Sequence, residues 1–302
     1  MKGYTYPGYR SLLERSGEEL ERVAFERLAA CNLCPRLCGV NRLEGELGFC
    51  RGGKLPKVSS YGPHFGEERP LVGRYGSGTI FFAGCNLRCC FCQNYDISHF
   101  DHGHEVSLEE LGDMMLALQN SGCHNINFVT PTHFVPQIIG ALRYAASKGL
   151  SIPVVYNCGG YESLETLKLL EGIVDIYMPD IKFLNSQSSE RYFGARDYPE
   201  VVKAAVKEMH RQVGDLVIKE GLAIRGLLIR HLVMPGHLED SRAIFRFIAS
   251  EVAPTTFVNV MEQYRPCYKA DEFPEIARRI SGEEFDRALA YAREEGLERV
   301  YY

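Results

Sequence analysis

The sequence predicts an α/β fold: a partial barrel of six βα units behind a cysteine-rich N-terminal extension. Three observations carry that expectation. From Gly78 onward, short apolar runs alternate six times with amphipathic helical stretches, a rhythm that implies parallel strands with helices outside. Polar and unusual residues follow the strands at six separate ends, where an open doubly wound sheet would gather them at one switch point. Residues 1–72 lack the rhythm, yet hold four of the eleven cysteines.

Two domains are therefore expected. Residues 1–72 form an N-terminal helix and a four-cysteine metal-binding extension; residues 73–302 form the barrel with a C-terminal helix. In the extension, a helix is expected from Ser16, with Glu19 completing a capping box, to about Ala30. Residues 61–78, "YGPHFGEERPLVGRYGSG", read as a loop-rich connector. "TIFFAG" is the first barrel strand, and residues 107–122 are a helix capped by Ser107 and Glu110. Strands at 125–130, 152–157 and 174–180 alternate with helices at 134–149, 161–172 and 199–214, the last with Pro199 in its first turn. Strands at 226–234 and 256–262 flank a helix at 238–252. A capped helix at 281–296 and a short strand, "ERVYY", close the chain.

Composition narrows the function. Hydrophobic content of 45% and charged content of 24% are ordinary for a globular protein. A net charge of −5 gives no basic field for nucleic acid or an anionic membrane. No apolar run spans a bilayer and the first residues lack a signal-peptide core, so a cytoplasmic location is expected. Thiols stay reduced there, and clustered cysteines then read as metal ligands.

The densest group is "GCNLRCCFCQN", residues 84–94. Cys85, Cys89 and Cys92 have the spacing C-x3-C-x2-C, with Cys90 as an extra member. Three thiolates can hold a 4Fe–4S cluster, leaving one iron open to a reactant. Zinc is the alternative, although a zinc site normally closes with four ligands.

This stretch carries the CxxxCxΦC motif and so resembles the radical S-adenosylmethionine (radical SAM) superfamily, with Phe91 as the aromatic near the adenine. The resemblance implies a 4Fe–4S cluster on Cys85, Cys89 and Cys92, and S-adenosylmethionine chelated by the open iron. It further implies reductive cleavage to a 5′-deoxyadenosyl radical that takes hydrogen from a substrate. Reduced flavodoxin or ferredoxin is the electron donor it implies.

Residues 77–265 are most similar to the pyruvate formate-lyase activating-enzyme group. By that likeness Asp180 and Lys182, in "DIYMPDIKF", serve the cofactor, while Asp180 and the Met178 carbonyl serve a monovalent cation. Arg230 and Leu232 face the cofactor, Asn157 contacts cofactor or cation, and Gln263 or Tyr264 lies near the adenosine. The group's Gly-Gly-Glu after the second strand is replaced by "NFVTPTHF", leaving Thr130 or Thr132 to make those contacts without a negative charge. The substrate is then a glycyl-radical enzyme, as for an activase, or a peptide or small molecule. An iron–sulfur electron-transfer or metal-carrier protein is the reading from a different class.

The extension adds Cys31-x2-Cys34-x3-Cys38-x11-Cys50, which resembles the N-terminal motif of an activating-enzyme-like subgroup. Four thiols suffice for a closed second site, either iron–sulfur or zinc. Pro35, Gly39 and Gly48 permit the turns between them, and metal would substitute for a core that the segment lacks.

Overall fold

The computed structural model describes residues 7–302. The strands are β1 (Lys57–His64), β2 (Ser77–Phe82), β3 (His104–Glu105), β4 (Ile126–Val129), β5 (Val154–Cys158), β6 (Ile176–Pro179), β7 (Val217–Lys219), β8 (Leu222–Leu232), β9 (Phe257–Met261) and β10 (Arg299–Tyr301). The helices are α1 (Tyr9–Glu26), α2 (Arg69–Val72), α3 (Tyr95–Ser98), α4 (Leu108–Asn120), α5 (Val135–Ser147), α6 (Leu164–Leu169), α7 (Ser186–Phe193), α8 (Tyr198–Val213), α9 (Leu238–Phe247) and α10 (Gly282–Glu294).

Strands β2, β4, β5, β6, β8, β9 and β10 are parallel neighbours in chain order, as in a barrel rather than a doubly wound sheet. The path ends at β10 on one side and at β1 and β3 on the other, so the barrel is partial. Both predicted capping boxes after Gly78 are formed, Ser107 with Glu110 and Ser281 with Glu284.

Period-2 alternation separates two faces. Phe82, Phe128, Tyr156, Tyr177 and Ile229 belong to the large core beneath the helices. Val155, Ile176, Met178 and Leu228 point the other way and pack into a smaller core with Leu71, which fills the floor of the barrel. Residues further along the same inward rows, Val129, Asn157, Asp180, Arg230 and Leu232, reach the open end.

The N-terminal part departs from expectation. Helix α1 begins at Tyr9, and Ser16 lies within it instead of capping it. Packing on α5 explains the longer helix: Tyr9 is buried and donates to the Ile152 carbonyl at 2.8 Å. At Gly17 a Cβ would lie 2.9 Å from the Arg143 stem. Tertiary contacts of this kind outweigh a local cap signal.

The expected connector begins and ends in strand. β1 pairs antiparallel with β2, so residues 57–64 of the expected extension belong to the barrel's sheet. Gly62 and Pro63 disguised it, and Pro63 is tolerated because β1 lies near the sheet edge. The chain then turns inward: α2 puts Leu71 into the floor cluster, and Glu68 accepts a hydrogen bond from Asn259 at 2.7 Å. Among the described residues no helix is long and apolar enough to cross a membrane.

Candidate functional site

The C-terminal strand ends surround a cavity of about 390 Å³. Cys85, Cys89 and Cys92 line it; Cys90 does not. The loop that carries them is shaped by Gly84, which sits at φ 83° with the Cys50 carbonyl oxygen 2.3 Å from where a Cβ would be. Only glycine meets both conditions. Within the loop, Leu87 N–H donates to Cys85 Sγ at 3.3 Å, and Ser98 Oγ lies 3.2 Å from Cys92 Sγ. His99 Nε2 bonds the Cys89 carbonyl at 3.0 Å. Burial pushes the Cys89 thiol well up, while nearby Lys182 pulls the other way. Phe91 also lines the cavity, held edge-on by Phe183, Tyr192 and Tyr264 at centroid distances of 6.1, 6.2 and 6.3 Å.

Across the cavity stands a charged network. Arg230 donates from Nε to Asp180 at 2.8 Å and from Nη2 to Asn157 Oδ1 at 2.8 Å. Lys182 Nζ donates to the other Asp180 oxygen at 2.9 Å. Burial would raise the Asp180 carboxyl, but Arg230 and Lys182 hold it down at about 2. Glu67, on the connector, approaches Arg230 Nη1 at 3.5 Å and lines the same cavity. Its carboxyl is pushed up by burial and pulled back by Arg230. Sequence reasoning missed Glu67, since an acid in "GEERP" reads as surface charge and only the inward turn before α2 brings it here.

Thr130, Asn157, Asp180, Lys182, Arg230, Leu232 and Gln263 all line the cavity, as does Phe91. Thr132, Tyr264 and Met178 do not. Thr132 is fully buried and donates to Glu162 at 2.7 Å. Tyr264 points away, donating to the Ile276 carbonyl at 2.7 Å, and touches the site only through Phe91. Met178 packs in the barrel floor, and both oxygens of Asp180 are already engaged by Lys182 and Arg230. Thr130 adopts φ 58°, a left-handed conformation that costs a β-branched residue about 1–3 kcal/mol.

Beneath Thr132 lies a second unanticipated carboxylate. Glu162 also accepts from Tyr156 OH at 2.9 Å, and burial raises its carboxyl to about 7 against the pull of Thr132, Tyr156 and Cys158.

The four N-terminal cysteines line a separate small cavity of about 10 Å³, together with Arg42 and His133. Among the described residues, no three Cys, His, Asp or Glu side chains are spaced to hold one metal ion. Three thiols round an open cavity, faced by polar groups, instead fit a four-iron cluster that leaves one iron for a reactant.

The sequence profile of the radical SAM superfamily matches residues 79–248, more than half of the chain. An uncharacterized protein of Methanocaldococcus jannaschii is 39% identical over 281 residues, covering 90% of this chain and 76% of that protein. A second uncharacterized protein of the same organism is 27% identical, covering 93% of this chain and 84% of its own. Among solved structures, Streptococcus suis SuiB superposes with a TM-score of 0.50 at 12% identity over 72% of this chain, a likeness of fold. The chain spans about half of SuiB, 47% of its length. The profile covers the strand, the cysteine loop and four of the strand ends that line the cavity, and this chain belongs to the radical SAM superfamily.

Proposed function

We propose that Cys85, Cys89 and Cys92 hold the 4Fe–4S cluster that the superfamily implies, and that S-adenosylmethionine lies against the Asp180–Lys182–Arg230 network. One observation carries this reading: the three thiols and the charged network face each other across a single cavity. When bound, the cluster and S-adenosylmethionine supply reductive cleavage to a 5′-deoxyadenosyl radical, which takes a hydrogen atom from substrate. The residues bind and orient. Arg230 and Lys182 offer N–H donors to a carboxylate or hydroxyl, while Asp180 and Asn157 offer acceptors to an ammonium or hydroxyl. Phe91 presents a fixed aromatic ring to a purine, and Phe81, Leu232, Met234 and Met261 wall off water.

The substrate reading is activating-enzyme-like: a protein glycine on a glycyl-radical enzyme, with a peptide or small molecule as the second version. Glu67 supports a cofactor site of that kind, because it brings to the cavity the carboxylate that Thr130 does not supply. Reduced flavodoxin or ferredoxin is the proposed electron donor. A cytoplasmic location is part of the same reading, since clustered cysteines that serve as metal ligands persist where the surroundings are reducing.

Anaerobically reconstituted protein with dithionite and S-adenosylmethionine should release 5′-deoxyadenosine. Absence of that product would return the chain to the electron-transfer or metal-carrier reading. Deuterium from a labelled candidate, recovered in 5′-deoxyadenosine, would identify the hydrogen donor.

A further inference from the structure

The segment between α1 and β1 has little to hold it in shape. Its one regular element is a 3-10 turn, Arg42–Glu44, yet Cys31, Cys34 and Cys50 are buried there, with Cys38 at the surface. The backbone is bent to bring these thiols round one space. Leu37 and Arg51 take left-handed φ values of 45° and 63°, and a Cβ on Gly48 would lie 2.9 Å from Cys38 Sγ. Backbone N–H groups point at sulfur, from Phe49 to Cys38 at 3.5 Å and from Gly52 to Cys50 at 3.4 Å.

Arg42 is the second, independent sign. Its guanidinium is 1% exposed, lines the thiol cavity and reaches Cys31 Sγ at 3.9 Å. Its other bonds go to neutral carbonyls, of Gly53 at 2.6 Å and His133 at 2.7 Å. Among the described residues, no carboxylate pairs with it, although a buried cation without an anion is costly. An anionic ligand in the cavity would supply the missing charge.

We infer that Cys31, Cys34, Cys38 and Cys50 hold a second, closed four-iron cluster with Arg42 as its buried counter-cation. Zinc would draw all four sulfurs to about 2.3 Å from one point. Here the thiols line a cavity of only about 10 Å³, and among the described residues no three of them are placed for a single ion. Cys85, Cys89 and Cys92, which the superfamily assigns to a cluster, likewise include no three groups placed for a single ion. Four thiolates complete all four irons, so this site binds no reactant, unlike the first.

Metal and sulfide analysis tests it. Wild-type protein, reconstituted with iron and sulfide and then desalted, should carry about eight of each per chain, two four-iron clusters. The Cys85/Cys89/Cys92→Ala variant should keep about four of each and give a cluster spectrum on reduction. Cys38→Ser, at the exposed ligand, should lose roughly half of the wild-type iron, as should Arg42→Gln. Wild-type protein with about four irons and one zinc, or with about four irons that the triple variant loses entirely, would overturn the inference. If the triple variant does not fold, Cys38→Ser decides: iron unchanged from wild type overturns the inference. A triple variant that keeps all the wild-type iron would instead sink the assignment of the first site and leave this one standing.

Discussion

The two cysteine groups lie side by side but are placed by opposite means. Cys85, Cys89 and Cys92 follow a parallel strand, so the sheet fixes where their loop begins and the barrel supplies the facing wall. The N-terminal four follow the end of α1 and belong to no sheet. Side chains hold them instead: Arg42 bonds the His133 carbonyl, and Arg36 bonds the carbonyls of Asn86 and Phe193 at 3.0 and 2.9 Å. The contrast teaches that a rigid scaffold can leave a coordination position free for chemistry, whereas a loop site needs every ligand to define itself.

The sharpest break falls inside the barrel loop. Cys85→Ala, Cys89→Ala and Cys92→Ala should each abolish cleavage of S-adenosylmethionine, measured as 5′-deoxyadenosine. Cys90→Ala should leave most of it, because Cys90 lies outside the cavity and its backbone N–H bonds the Tyr192 carbonyl. An inactive Cys90 variant with an active Cys89 variant would exchange the two assignments.

Asp180→Asn comes next. It keeps the shape but removes the charge that Arg230 and Lys182 share, and charge-assisted contacts are worth about 1.5–3 kcal/mol. Binding of S-adenosylmethionine should weaken by roughly ten- to a hundredfold with iron content unchanged. Equal affinity would leave the network a structural role only.

Gly84→Ala strikes the seam between the regions. The added methyl would collide with the Cys50 carbonyl at a left-handed residue, costing about 2 kcal/mol or more. Lower thermal stability together with poorer loading of both cysteine groups is expected. Loss at the barrel loop alone would show that the seam carries no coupling.

Glu162 also lies at that seam, close enough to act electrostatically on Cys34. Its carboxyl titrates near 7 when folded and at the ordinary 4.5 when unfolded, so the folded state holds an extra proton between those values. Stability therefore falls as pH rises through that window, by at most about 3 kcal/mol. Glu162→Gln should flatten the dependence of denaturation midpoint on pH between 5 and 8; an unchanged slope would place the titration elsewhere. The smallest effect belongs to Thr130→Gly, which relieves left-handed strain and should stabilise the chain by about 1 kcal/mol or less, once the added freedom of the unfolded glycine is offset. Denaturant unfolding would register it.

What the sequence made legible was what local patterns determine. The capping boxes at Ser107 and Ser281 are four-residue signals, and the βα rhythm after Gly78 is a periodicity; both reappear in the structure. Inward rows explain why Asn157, Asp180 and Arg230 meet: Asp180 pairs with Arg230 on the next strand, and Asn157, opposite Met178, stands one inward step earlier. The misses depend on distant partners. The start of α1 is decided by α5 and Ile152, β1 by the edge of β2, Glu67 by a turn across the concave face. Thr132 was a reasonable candidate from its place after a strand, and only Glu162 thirty residues on turns its hydroxyl away.

With the inferred N-terminal cluster in place, Arg42 would tie the integrity of a cofactor to the lifetime of the chain. Strip the anion from its cavity and a guanidinium would be left sealed among carbonyls, with only the small cluster of Leu28, Cys31 and Leu33 to hold the segment around it. The cost then appears as local opening of residues 27–56, which is where a protease would first find an extended backbone. Oxygen damage to iron and sulfide would in this way mark the damaged molecule for removal, and the arginine would act as a quality-control sensor without any dedicated regulatory domain.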